Sequence, residues 1–188
     1  MKKILKISGI AAIVIAVATL LSVGSFLLIR HNNLVRTGNV LGVSWYSEGE
    51  KEFTISTVEQ LEEFVALSNF YTFEGQTIKL DADLTLNEGK AEDWKKDAPK
   101  NRWKPIQDFN GTFEGQGHTI SGLYGKAHET PMALFINTEE YAIVRNLKLV
   151  NSYMTTKGSS GTASFVVNGA GTFEKLYSDA ISAIPSTA

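Results

Sequence analysis

At 188 residues, 43% of them apolar, the chain has material for one cored domain plus an appendage, which excludes wholesale disorder. Residues 1–36 carry Lys2, Lys3, Lys6, Arg30 and Arg36 and no acid, so the overall charge of −2 leaves residues 37–188 near −7, with 13 basic side chains against 20 acidic ones, and disfavours a nucleic-acid partner. Cysteine is absent, which excludes a disulfide framework, a thiolate metal site and a thiol nucleophile.

In chain order, residues 1–6 (MKKILK) form a basic segment, expected to be cytoplasmic. Residues 7–29, ISGIAAIVIAVATLLSVGSFLLI, follow without a charge. As a helix they would span roughly 35 Å, enough for a hydrocarbon core of about 30 Å. They are expected to be a transmembrane signal anchor. Small-x-small sites at Ala16–Ala18 and Ser22–Gly24 leave the alternative of a cleaved signal peptide. Three lysines before the span and two arginines after it orient the N-terminus inward. The expected location is the cell membrane, single-pass with the C-terminal domain extracellular, or secreted if the signal is cleaved.

Residues 30–43 are expected to be a linker leading to a first strand near Val43–Tyr46. Residues 44–180 are the main domain and 181–188 a tail. Ser56 followed by Glu59 has capping-box spacing, and Val58, Leu61, Phe64 or Val65, and Leu67 recur at helical spacing, predicting a helix over 57–69. In TIKLDADLTL, residues 77–86, Ile78, Leu80, Ala82, Leu84 and Leu86 alternate with polar residues and predict a strand, with a bend at the aspartates. Residues 87–102, NEGKAEDWKKDAPKNR, read as an exposed excursion with no core of its own.

The chain then repeats itself. FEGQ occurs at 73–76 and 113–116, and Ile120–Leu123, Val144–Leu147 and Phe173–Leu176 share an apolar-x-x-Leu pattern whose leucines lie 24 and 29 residues apart. LFI at 134–136 and SFV at 164–166 are 30 apart. Such periods predict stacked units that bury apolar faces against their neighbours. The expected fold is all-β: a short parallel β-helix, or solenoid, whose first end is covered by the 57–69 helix. A terminal unit left uncovered would expose unpaired backbone.

FTISTVEQLEEFVALSN, TIKLDADLTL, WKPI, FNGTFEGQGHTISGLY and AIVRNLKL occur in an order that resembles bacterial surface proteins carrying GLUG-type repeats. The likeness covers about residues 44–180. It implies a right-handed, pectate-lyase-like β-helix, a surface location, and a role in adhesion or in contact with glycan or protein. The motif that names the family stands here as Ala133-Leu134-Phe135-Ile136, with both glycines replaced.

Residues 109–125, FNGTFEGQGHTISGLYG, invite comparison with a phosphate loop. Gly115-Gln-Gly117 lacks the third glycine of a dinucleotide fingerprint, and Gly122 is not followed by Lys-Ser/Thr. The glycines are read as turn residues, with Phe113, Ile120 and Leu123 facing inward. A carbohydrate-active enzyme, either a polysaccharide lyase or a hydrolase, would need convergent carboxylates, for which Asp81, Asp83 and Glu114 are the best available set. Their simpler reading is solubility of an outer face. His31, His118 and His128 lie in linker, turn and loop, and none has a nucleophile partner by motif. Among the aromatics Trp45, Tyr46, Trp94, Trp103, Tyr124, Tyr141, Tyr153 and Tyr177, Trp94 is the candidate ligand contact, because its neighbours are all polar. Asn110-Gly-Thr112 is read as a turn rather than as a glycosylation site.

The sequence thus predicts a non-catalytic surface module with no catalytic, metal or cofactor site. It is expected to contact a membrane through 7–29 and a polysaccharide or surface protein through its domain. The alternatives are an enzyme on the same scaffold and a truncated relic of a longer repeat protein.

Overall fold

The computed structural model describes residues 41, 43–47, 49–128, 130–157 and 160–183. The chain divides after Gly49 into two units, residues 1–49 and 50–188. In the first, Val43 and Tyr46 are buried, and Trp45 meets Tyr46 edge-on at 6.2 Å. Residues 43–47 form no strand, contrary to expectation. Strand is the prevailing regular structure of the second unit.

Its first strand, β1 (Glu52–Ile55), alternates exposed Glu52 and Thr54 with buried Phe53 and Ile55. Helix α1 (Val58–Leu67) follows. Its capping box is Thr57 with Gln60, one residue later than Ser56 and Glu59: Thr57 Oγ1 accepts from the Gln60 amide at 3.2 Å, and Gln60 Oε1 accepts from the Thr57 amide at 3.2 Å. The shift has a physical cause. Backbone extension persists through Ile55, and a start at Val58 buries Leu61, Phe64, Val65 and Leu67.

The remaining strands are β2 (Thr77–Leu80), β3 (Leu84–Thr85), β4 (Ile106–Phe109), β5 (Thr112–Glu114), β6 (Thr119–Ser121), β7 (Tyr124–His128), β8 (Phe135–Thr138), β9 (Ile143–Val150), β10 (Tyr153–Lys157), β11 (Val166–Gly169), β12 (Thr172–Ser178) and β13 (Ile181–Ala183). The predicted 77–86 strand is therefore two strands separated by a bend at 81–83. Pairing between the named strands is parallel. The first sheet joins β1, β2, β5, β9, β6 and β3, with β12 also on β9; the second has order β11-β8-β4 and the third β13-β10-β7. From β8 onward the chain visits second, first and third sheets in turn, twice over.

Register stacks like upon like. Phe53, Ile78, Phe113, Val144 and Phe173 form one column, and the first four are buried. Ile106, Phe135 and Val166 form another in the second sheet. Beside it, Asp108, Asn137 and Asn168 make a polar ladder, Asn137 donating to Asp108 at 2.8 Å and Asn168 to Asn137 at 2.9 Å. Phe113, Ile120 and Leu123 are fully buried, as the sequence implied.

Helix α1 covers the free edge of β4. Phe64 packs against Phe73, Phe109 and Phe113, the Gln107 amide donates to Ser68 Oγ at 3.1 Å, and the Asn110 amide donates to the Thr72 carbonyl at 2.7 Å. Otherwise these edge amides would lack partners in a partly buried place.

Residues 87–102 are not without a core. Ala91–Lys95 form a 3-10 turn whose Ala91 and Trp94 are buried with Tyr124 and Tyr153. The membrane-spanning helix expected over residues 7–29 is not among the described elements. Among the described residues no helix is long and apolar enough to cross a membrane, and residues 7–29, to which the span was assigned, lie outside them.

Candidate functional site

Trp94 is only 4% exposed. Its ring stands edge-on to Tyr124 at 6.1 Å, and Tyr124 stacks on Tyr153 at 5.9 Å. Asn151 pins the turn that carries it, accepting from the Ala91 amide at 2.9 Å and donating to the Gly89 carbonyl at 2.9 Å. The ligand contact assigned to Trp94 is therefore corrected: its apolar ring is consumed in packing. Trp103 is likewise buried, its Nε1 donating to the Ala133 carbonyl at 2.9 Å, whereas Tyr141 and Tyr177 are exposed.

The three carboxylates proposed from sequence are each otherwise engaged or solvated. Asp83 Oδ1 accepts from the Thr119 amide at 2.8 Å and faces His118 Nδ1 at 3.1 Å; these contacts, the amide foremost, hold its carboxyl below the ordinary range. Partial burial pushes the Glu114 carboxyl upward, but hydrogen bonds from Asn146, the Gln116 amide and Arg145 outweigh it and leave the group below its ordinary value. Asp81 is exposed. Among the described residues no three His, Asp or Glu side chains gather as a metal-holding group. His31 lies outside the described residues, and His128 ends β7. Asn110 is buried and accepts from the Tyr141 amide at 2.9 Å, an internal turn role.

The glycine run also proves structural. β6, a strand rather than a helix, follows Gly117. Gly122 has φ +76°, and a Cβ there would run into the Asn87 backbone.

One surface feature was not singled out by the sequence. A groove of about 550 Å³ lies between α1 and residues 101–107. Glu62, Val65, Ala66 and Asn69 line it from the helix side, and Asn101, Arg102, Trp103, Lys104, Pro105 and Gln107 from the other. Helical spacing sets Glu62, Val65, Ala66 and Asn69 on one side of α1 and its end. The opposite wall is fixed by Trp103, whose amide donates to the Tyr124 carbonyl at 2.8 Å while its ring is buried. That anchoring leaves the flanking Arg102 and Lys104 exposed.

Arg102 sits 5.8 Å from the Tyr124 ring centre, and neither it nor Lys104 has a carboxylate partner among the described residues. The groove's one acid, Glu62, accepts from Asn101 Nδ2 at 2.9 Å. The signal that could have found this place was a run of charge. Lys95, Lys96, Lys100, Arg102 and Lys104 stand against Asp97 alone, in a domain that is otherwise acidic. No family model matches the chain, and no curated protein or solved structure matches it either.

Proposed function

We propose that the chain is a non-catalytic binding module, its parallel sheets wound as a short right-handed β-helix of the kind GLUG-type repeats imply. It contacts a glycan or protein through the groove beside α1. The winding reading is supported by strands about 30 residues apart lying in parallel register in three sheets. The function is carried by one observation: a groove of ligand size presents two exposed cations that have no carboxylate partner among the described residues. Surface cations without a carboxylate partner, brought together in a concave place, suit recognition of an anionic group. The enzyme alternative gains nothing comparable, because Asp83 and Glu114 serve separate internal networks.

The test exposes the purified full chain to a panel of bacterial, plant and host polysaccharides and to surface protein extracts. Both retention and release of reducing ends or unsaturated products are scored. Retention without release is the expected result; release of products would overturn the non-catalytic reading.

A further inference from the structure

The lining of the groove specifies more than charge. Asn69 Nδ2 donates to the Val65 and Ala66 carbonyls at 3.3 and 3.1 Å, Asn101 Nδ2 to Glu62 at 2.9 Å, and Gln107 Nε2 to the Pro105 carbonyl at 2.9 Å. These partners are all acceptors, which fixes the orientation of the three amides. In each case the nitrogen serves the protein. The side-chain oxygens of Asn69, Asn101 and Gln107, and the second oxygen of Glu62, accept no hydrogen bond among the described residues, and all four residues line the groove.

The site therefore offers several hydrogen-bond acceptors together with two cations, Arg102 and Lys104, and an apolar strip from Val65, Ala66 and Pro105. Inorganic phosphate or sulfate would satisfy the cations but supply few or no donors to the oxygens. A neutral sugar would supply hydroxyl donors but leave the cations unmatched. A molecule carrying both hydroxyls and a carboxylate meets both sets. The net acidity of residues 37–188 opposes a long polyanion, so the fit is to a short one.

We infer that the groove between α1 and residues 101–107 binds a short uronate-type oligosaccharide, with Arg102 and Lys104 on its carboxylate and Asn69, Asn101 and Gln107 on its hydroxyls. The inference rests on the binding-module reading and names the ligand class of the same site. Arg102 supplies two parallel N–H donors to a carboxylate, and Lys104 a point charge. The carbon faces of the sugar rings lie against Val65, Ala66 and Pro105.

The experiment is calorimetric titration of the full chain at low salt with oligogalacturonate of three to five units. The comparison probes are the same oligomer fully methyl-esterified, a neutral xylo-oligosaccharide of equal length, and inorganic phosphate. The oligogalacturonate should bind, with the esterified and neutral forms weaker by roughly two- to thirtyfold, as expected for loss of two exposed charge pairs. R102Q/K104Q should lose a similar factor. K95Q/K96Q, which alters exposed cations outside the groove, should bind like wild type. Circular dichroism of each variant confirms that the fold is intact.

Equal binding of the neutral or esterified oligomer, or full affinity in R102Q/K104Q, would overturn the inference while leaving the binding-module reading in place. Competition by phosphate at the same concentration as the oligogalacturonate would reduce the site to a simple anion site and overturn it as well. Failure of every saccharide to bind would also overturn it. Cleavage of the bound oligomer would instead strike the non-catalytic reading, and is recognised by new reducing ends.

Discussion

Glu114, one of the carboxylates the sequence offers as a catalytic candidate, is engaged by three hydrogen bonds. It occupies an outward column in which Lys79, Glu114, Arg145 and Glu174 alternate in sign across neighbouring strands. Its side chain is 14% exposed and accepts from Arg145 Nε at 2.6 Å, Asn146 Nδ2 at 2.8 Å and the Gln116 amide at 2.9 Å. Asn146 and Gln116 both have positive φ, 54° and 52°, so the carboxylate also ties down two unusual backbone conformations, one within β9 and one in a turn. Its folded pKa is depressed, so its contribution is present above the ordinary glutamate value of 4.5 and is lost as pH falls through the lower folded value. Glu114→Gln should cost about 1–2 kcal/mol at pH 7, and the gap to wild type should close below pH 4.5. Urea unfolding of both proteins across that range checks it; a gap that persists unchanged at low pH would contradict the assignment. Asp83 is held down in the same direction, but its side chain is 72% exposed, so solvent screens its effect on stability.

At the scale of elements, the 87–102 excursion is the part whose sequence and structure diverge most. Its composition is that of a solvated loop, yet Trp94 buries its ring with Tyr124 and Tyr153, and Asn151 holds the backbone at two points. Trp94→Ala should cost about 3–5 kcal/mol, the usual range for removing a buried aromatic. It should also raise amide exchange across Ala91–Lys95 more than across β5 or β9, because the turn keeps little other buried surface. Exchange mass spectrometry on both proteins measures this; uniform loosening of the whole domain would contradict a local role. Sequence could not make the assignment because the partners lie about 30 and 60 residues away, on strands whose register is set by other side chains. The same limit applies to α1. Ser56–Glu59 and Thr57–Gln60 both have capping-box spacing, and only the extension of β1 through Ile55 decides between them. β1 itself is four residues against the helix start, too short for its alternation of Phe53 and Ile55 to stand out. By contrast, Ile78, Leu80 and Leu84 alternate over a longer stretch, and their burial was legible. The groove was half legible: the basic run from Lys95 to Lys104 is visible in the chain, but its placement against α1 depends on the burial of Trp103.

Across the whole unit, the stability of any strand position depends on what lies on both sides of it in the stack. The column Phe53, Ile78, Phe113, Val144, Phe173 holds chemistry nearly constant while coverage changes. Phe113 is flanked by β2 and β9, is fully buried, and meets Phe64 at 5.9 Å and Phe135 at 5.7 Å. Phe173, on β12, pairs with β9 on one side, has no partner strand on the other among the described residues, and is 40% exposed. Tyr177 on the same strand is 56% exposed, and Leu176 is half-buried. Two phenylalanines of identical register should therefore differ widely in energetic weight. Phe113→Ala removes a ring from a closed environment and should cost about 3–5 kcal/mol. Phe173→Ala leaves no sealed cavity, since water already reaches the site, and should cost about 1 kcal/mol or less. Chemical denaturation of the two variants compares them directly, with the midpoint shift read at unchanged slope. Equal losses would mean that Phe173 is covered in solution, and that the side of β12 turned away from β9 is in contact with something else.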